Sequence, residues 1–169
     1  MNNTCKILIL VSLIVLLILV GTIVYFCLNK NKENLEDKSD LLTVIITSSY
    51  IKSHPLTILI DSVIKSLDLI NLPKNTKIIL AHDYNNNKNY IEYIYNLKKK
   101  YTYNKNINII VRKTKGHLTG NIRNVINLVK TKFILILQHD LRFINQFDIK
   151  KIIEDMNKNK IMKHIRFNK

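Results

Sequence analysis

Two acidic residues stand just after apolar runs, and they are the first chemical feature of the chain. Asp83 follows KIILAH, and Asp140 follows FILILQH. Carboxylates at equivalent ends of buried strands can ligate a hard cation, or accept hydrogen bonds from a base edge or a ribose. Aspartate also caps helices and starts turns after strands, so each alone has that simpler reading. Gly116 and Gly120 flank His117, and Arg123 follows one turn later. Glycine there allows close backbone approach, and a following helix presents N–H groups to an anion. A tight turn accounts for each glycine equally well. The spacing is neither a Walker loop nor GxGxxG, so no phosphate motif encodes nucleotide binding. Ser48 and Ser49 lack a nucleophile-elbow context. His54, His82, His117, His139 and His164 form no HExxH-like spacing, and Cys5 and Cys27 both lie at the ends of the N-terminal apolar run. The histidines therefore read as polar loop residues rather than zinc ligands.

Short β-branched runs alternating with amphipathic stretches must position these residues. Strands are predicted at Leu42–Thr47, Lys77–Ala81, Ile107–Val111 and Phe133–Leu137, with a fifth at Ile161–Phe167. A helix over Thr57–Leu69 places Ile60, Val63, Ile64 and Leu67 on one face, with Pro55 as a first-turn proline and Ser53 as its cap. Further helices are predicted over Asn89–Tyr101, Asn121–Lys130 and Asp148–Asn157. The alternation implies an α/β fold with a mostly parallel sheet and helices on both faces. Ligands bind such sheets at the carboxyl ends of the strands. The loops of interest are therefore Ser48–Pro55, His82–Asn89, Arg112–Gly120 and Gln138–Phe143.

The N-terminal part has another character. Residues 7–28 carry no charge, and only Ser12, Gly21 and Thr22 interrupt the apolar run. A helix of that length is about 33 Å long, enough to cross a bilayer core of about 30 Å. The run ends Tyr25-Phe26-Cys27-Leu28, a poor signal-peptide cleavage site, so a retained transmembrane helix is expected. The chain then divides into a tail at 1–6, the span at 7–28, a linker at 29–40 and a domain at 41–169. Lys30, Lys32 and Lys38 after the span, against Lys6 before it, put that domain on the cytosolic side of a single-pass membrane protein.

The formal net charge is +15. Residues 1–39 hold four Lys and three acidic residues; residues 40–169 hold 23 Lys and Arg against nine acidic, a net of +14. Such a balance is compatible with anionic lipid or nucleic acid. Ile, Lys and Asn, all with A/T-rich codons, make up 74 of 169 residues, so codon bias alone supplies much of it. Lysine is scattered, arginine numbers four, and no aromatic-basic recognition motif is present, which argues against a specific nucleic-acid partner.

From about Leu41 to Phe167 the chain resembles the nucleotide-binding half of family-2-like glycosyltransferases with the GT-A (Rossmann-like) fold. Four segments carry the resemblance: TVIITSSYIKSHPLT, KIILAHDY, GHLTGNIRNVINLVKTKF and ILILQHDLRF. The last occupies the place of the family's DXD-type motif. The resemblance implies that Thr47 and Ser48 line the nucleotide pocket, and that Asp83 holds the base or ribose of a nucleotide-sugar donor. It implies further that Gly120 and Arg123 lie near the donor's phosphates and sugar, and that Asp140 binds Mg²⁺ or Mn²⁺. Such a cation would stabilise the departing diphosphate. Gln138 stands where the motif has its first aspartate. The family's acceptor half and its general base lie beyond the position of Lys169. Asp148, Glu154 and Asp155 read as part of a structural helix. The expectation is thus a membrane-anchored GT-A glycosyltransferase that binds a nucleotide-sugar donor through the metal and transfers the sugar to an acceptor, as a donor-binding fragment, a shortened relative or one half of a split enzyme whose acceptor half comes from a separate chain. The alternatives are a catalytically inactive GT-A-like binding or scaffold module, and a membrane-tethered basic protein that binds anionic lipid or nucleic acid.

Overall fold

The computed structural model describes residues 15–27 and 41–167, and the chain divides into two units, residues 1–38 and 39–169. In the first unit, residues 15–27 form a helix (α1) whose side chains are all exposed. Among the described residues no helix is long and apolar enough to cross a membrane. Of the expected span, residues 7–14 and 28 lie outside the described residues, as do the tail at 1–6 and the linker at 29–40.

The second unit is built on a four-stranded parallel sheet, β1 (Leu42–Ser48), β2 (Lys77–His82), β3 (Ile107–Val111) and β4 (Phe133–Gln138), in the order β3-β2-β1-β4. Every residue of β1 is buried, as its unbroken LTVIITS run requires of a central strand covered on both faces. Val44 and Ile46 face one layer with Leu80 and Leu135, while Ile45 faces the other with Ile79 and Ala81. Each fully buried Ile or Val contributes about 1.5–3 kcal/mol relative to exposure.

Helices α2 (Ile58–Ser66), α3 (Lys88–Tyr101) and α5 (Ile149–Lys158) bring Ile60, Val63, Tyr90, Tyr93, Leu97, Ile149 and Ile153 to the larger layer. Helix α4 (His117–Val125) covers the opposite face through Val125. The helices on both faces and the parallel sheet fit a GT-A or Rossmann-like fold. One polar network ties α2 to α3. Asp61 accepts hydrogen bonds from Tyr101 Oη at 2.6 Å, Lys100 Nζ at 2.6 Å and Thr57 Oγ1 at 2.7 Å.

Three elements differ from the sequence expectation. Helix α2 begins at Ile58, and Pro55 lies in a preceding turn; Thr57 pairs with Asp61, so Ser53 does not cap it. Helix α4 begins four residues earlier than the apolar periodicity indicates. The segment 161–167 is not a strand: Phe167 packs on Phe143 and Phe147, at 5.9 and 5.2 Å between ring centres, and Ile161 is exposed. Strands β3 and β4 are therefore the two edges of the sheet.

Candidate functional site

The sheet order contains one reversal. From β1 the chain steps outward to β2 and β3, then returns to the other side of β1 for β4. Loops leaving β1 and β4 must diverge to opposite directions, which opens a crevice at their carboxyl ends. A pocket of about 200 Å³ lies there, lined by Thr47, Ser48 and Ser49 from β1 and its loop, by His117, Leu118 and Asn121 from α4, and by Gln138, His139 and Asp140 from β4 and its turn.

Local hydrogen bonds fix these walls. The β1–β4 ladder extends past the strand end, with His139 N–H donating to Thr47 O at 3.0 Å. Thr47 Oγ1 donates to Leu137 O at 3.1 Å. A type of tight turn follows, in which Leu141 N–H donates to Gln138 O at 3.1 Å, and it leaves the Asp140 side chain exposed at the rim. Asn121 is 2% exposed, and its Nδ2 donates to Ser48 O at 3.0 Å, which seats α4 against the end of β1.

Asp83 is brought to the same carboxyl edge, one strand further along, but it does not line the pocket. It is 3% exposed. Its Oδ1 accepts from Tyr84 N–H at 2.9 Å and Gly116 N–H at 2.8 Å; its Oδ2 accepts from His117 N–H at 2.8 Å. The N–H groups of Gly116 and His117, at the start of α4, are thus satisfied by a carboxylate of the chain itself. Arg112 Nε lies 3.9 Å from Asp83, donates to Thr114 O at 3.0 Å, and Arg112 Nη1 donates to Gly120 O. The two glycines make room for this guanidinium. A Cβ on Gly116 would stand 2.5 Å from Arg112 Cζ, and one on Gly120 2.8 Å from Nη1.

The turn carries strain. His117 has φ 52°, the left-handed region. That conformation costs a non-glycine residue about 1–2 kcal/mol. A hydrogen bond to a charged acceptor contributes about 1.5–3 kcal/mol, so the bond from His117 N–H to Asp83 is of the size needed to offset it.

Behind the pocket, on the α2–α3 side of the sheet, sits a buried imidazole and phenol cluster. His54 stacks on Tyr93 with ring centres 3.8 Å apart, and His82 meets Tyr93 at 5.7 Å. Burial, with the nearby His139 imidazole second, pulls the His54 pKa down to about 4. Burial pulls that of the fully buried His82 down to about 3, with His139, His54 and Lys98 adding smaller contributions. Among the described residues Ser48 Oγ, both His82 ring nitrogens and Asn121 Oδ1 have no hydrogen-bond partner.

Of the residues singled out from the sequence, the structure brings Thr47, Ser48 and Asp140 together at the pocket. Gly120 lies beneath Arg112, and Arg123 is exposed on α4; neither lines the pocket. Asn121 and Arg112 carry roles that no motif flagged. The only sequence signal for Asn121 is its place one helical turn after His117, and for Arg112 its place directly after an apolar strand.

A parallel α/β sheet with helices on both faces and a pocket at its switch point defines the class: an α/β domain of GT-A or Rossmann-like type. The family model described as "Glycosyl transferase family 2" matches residues 44–165, more than half of the chain. The chain belongs to this family. No curated protein matches it.

Proposed function

We propose that the second unit binds a nucleotide-sugar donor in the pocket between β1, β4 and α4, and takes part in glycosyl transfer to an acceptor. The observation that carries this reading is the coincidence of that pocket with the strand-order reversal, in a chain of glycosyl transferase family 2. Thr47 and Ser48 form the β1 wall against which the nucleotide rests. The net charge of +15 favours capture of an anionic donor.

Asp140 fits the role of a hard-oxygen ligand for Mg²⁺ or Mn²⁺, being exposed at the rim of the pocket. Among the described residues no group of three or more His, Cys, Asp or Glu is placed to hold a metal. A cation bound here would be shared with the donor's diphosphate, the mode in which Mg²⁺ uses one or two carboxylates and substrate phosphates. Bound there, it would stabilise the negative charge of the leaving diphosphate. Calorimetric titration of the full chain with UDP- and GDP-sugars, with and without Mn²⁺, tests the reading. Metal-dependent binding supports it; absence of binding to every donor overturns it.

A second reading, an inactive binding module, is favoured by Gln138 and by Asp140 being, among the described residues, the only carboxylate lining the pocket. Donor hydrolysis or sugar transfer by the purified chain would count against it. We further propose that residues 7–28 anchor the chain in a membrane with the second unit on the cytosolic side. The uncharged run and the exposed apolar side chains of α1 support this, among them Leu17, Ile18 and Phe26. Resistance to alkaline extraction, and protease sensitivity of the second unit in sealed inside-out vesicles, are the expected outcomes.

A further inference from the structure

Asp83, the residue expected to touch the donor, has both carboxylate oxygens engaged by the backbone, and those bonds lead back to the pocket. Its two oxygens accept three backbone N–H groups, two of them from the first turn of α4. That turn supplies His117 and Leu118 to the pocket wall, and Asn121 follows directly after it. His117 holds a left-handed backbone there, which an isolated histidine would leave for a more relaxed conformation. From the other side Arg112 grips the same turn through Gly120 O and the loop before it through Thr114 O, lying where side chains at 116 and 120 would otherwise be.

We propose that Asp83 and Arg112 are positioning residues that keep α4 in the one orientation able to accept the donor, and that Asp83 does not itself contact the nucleotide. The inference rests on the donor-binding reading above. It follows from geometry: the carboxylate is buried, and its acceptor sites are directed at Tyr84, Gly116 and His117. Loosening the turn lowers the fraction of molecules whose pocket is formed, and apparent affinity falls by that fraction. Such a loss is blind to the base. A contact with the base or ribose would instead be lost selectively.

The test is calorimetric titration of the full chain with UDP, GDP, CDP and ADP in the presence of Mn²⁺, comparing the wild type with Asp83→Asn and Gly116→Ala. The second variant disturbs the same turn through Arg112 without altering the carboxylate. Both are expected to weaken every nucleotide that binds by one common factor, roughly 10- to 100-fold, leaving their rank unchanged. His117→Gly provides the rescue, because glycine adopts a positive φ freely. In that background the loss caused by Asp83→Asn should shrink to about threefold or less. A changed rank among the nucleotides, or full affinity in a folded Asp83→Asn, overturns the proposal. Should the wild type bind none of the four, the donor reading fails on its own. Amide exchange then decides the positioning claim: Gly116 and His117 should exchange at least about tenfold faster in Asp83→Asn, and unchanged rates would refute it.

Discussion

Acidification should destabilise this domain well before its carboxylates are neutralised, and two histidines set the magnitude. His54 and His82 are held neutral by burial, with pKa values of about 4 and about 3 against 6.5 for a free imidazole. The unfolded chain takes up protons near pH 6.5 that the folded chain refuses. Stability from these groups is therefore complete above about pH 7.5 and is lost as pH falls through 6.5 towards 4. One pH unit below 6.5, each histidine has cost about 1.4 kcal/mol, so the pair costs about 3 kcal/mol at pH 5.5. With a urea m-value of about 1–3 kcal/mol/M, the midpoint should fall by about 1–3 M between pH 7.5 and 5.5. Urea unfolding of the full chain, followed by tyrosine fluorescence, measures it. His82→Leu separates the histidine contribution from the rest. Both ring nitrogens of His82 lack a partner among the described residues, so an apolar replacement forfeits no hydrogen bond and removes about half of the slope. An unchanged midpoint between the two pH values, or a His82→Leu variant as acid-sensitive as the wild type, would refute the reasoning.

Three further outcomes follow from the same geometry. Asp140→Ala should abolish the Mn²⁺-dependent part of donor binding in calorimetry while shifting the thermal midpoint by no more than about 1–2 °C, since the side chain is exposed and surface changes stay within about 0.5 kcal/mol. Leu80→Ala, at a position 0% exposed in the central core, should cost about 2–5 kcal/mol in urea unfolding. Tyr101→Phe removes a 2.6 Å hydrogen bond to the Asp61 carboxylate and should cost about 1.5–3 kcal/mol, separable from packing because the ring remains.

The sheet was legible because β-branched runs such as LTVIITS and FILIL have few other stable uses than a strand buried on both faces. Strand β3 agrees with its expected limits, Ile107–Val111. The start of α4 was not legible. Its first turn, His117 to Gly120, includes a single large apolar residue and no capping side chain of its own. What fixes it is Asp83, 34 residues earlier than His117, through bonds that exist only once the sheet has formed. The same separation hid the division of labour between the two aspartates. Both follow apolar strands, yet one ends in a solvent-facing turn and the other beneath a helix. Strand β2 has a neighbour on each side at its carboxyl end, while β4 has one. The fifth strand failed for a related reason. Alternating residues alone do not make a strand, and the three-phenylalanine cluster draws the segment elsewhere.

Among the described residues, strand β4 ends the sheet with its outer backbone ladder unmatched, and Ile134 and Ile136 are 37% and 46% exposed on it. A row of open amides and carbonyls beside bare isoleucines is a template for any extended polypeptide that meets it. Handling the protein at high concentration therefore invites lateral stacking of copies, and lysine or proline introduced along that border would suppress it.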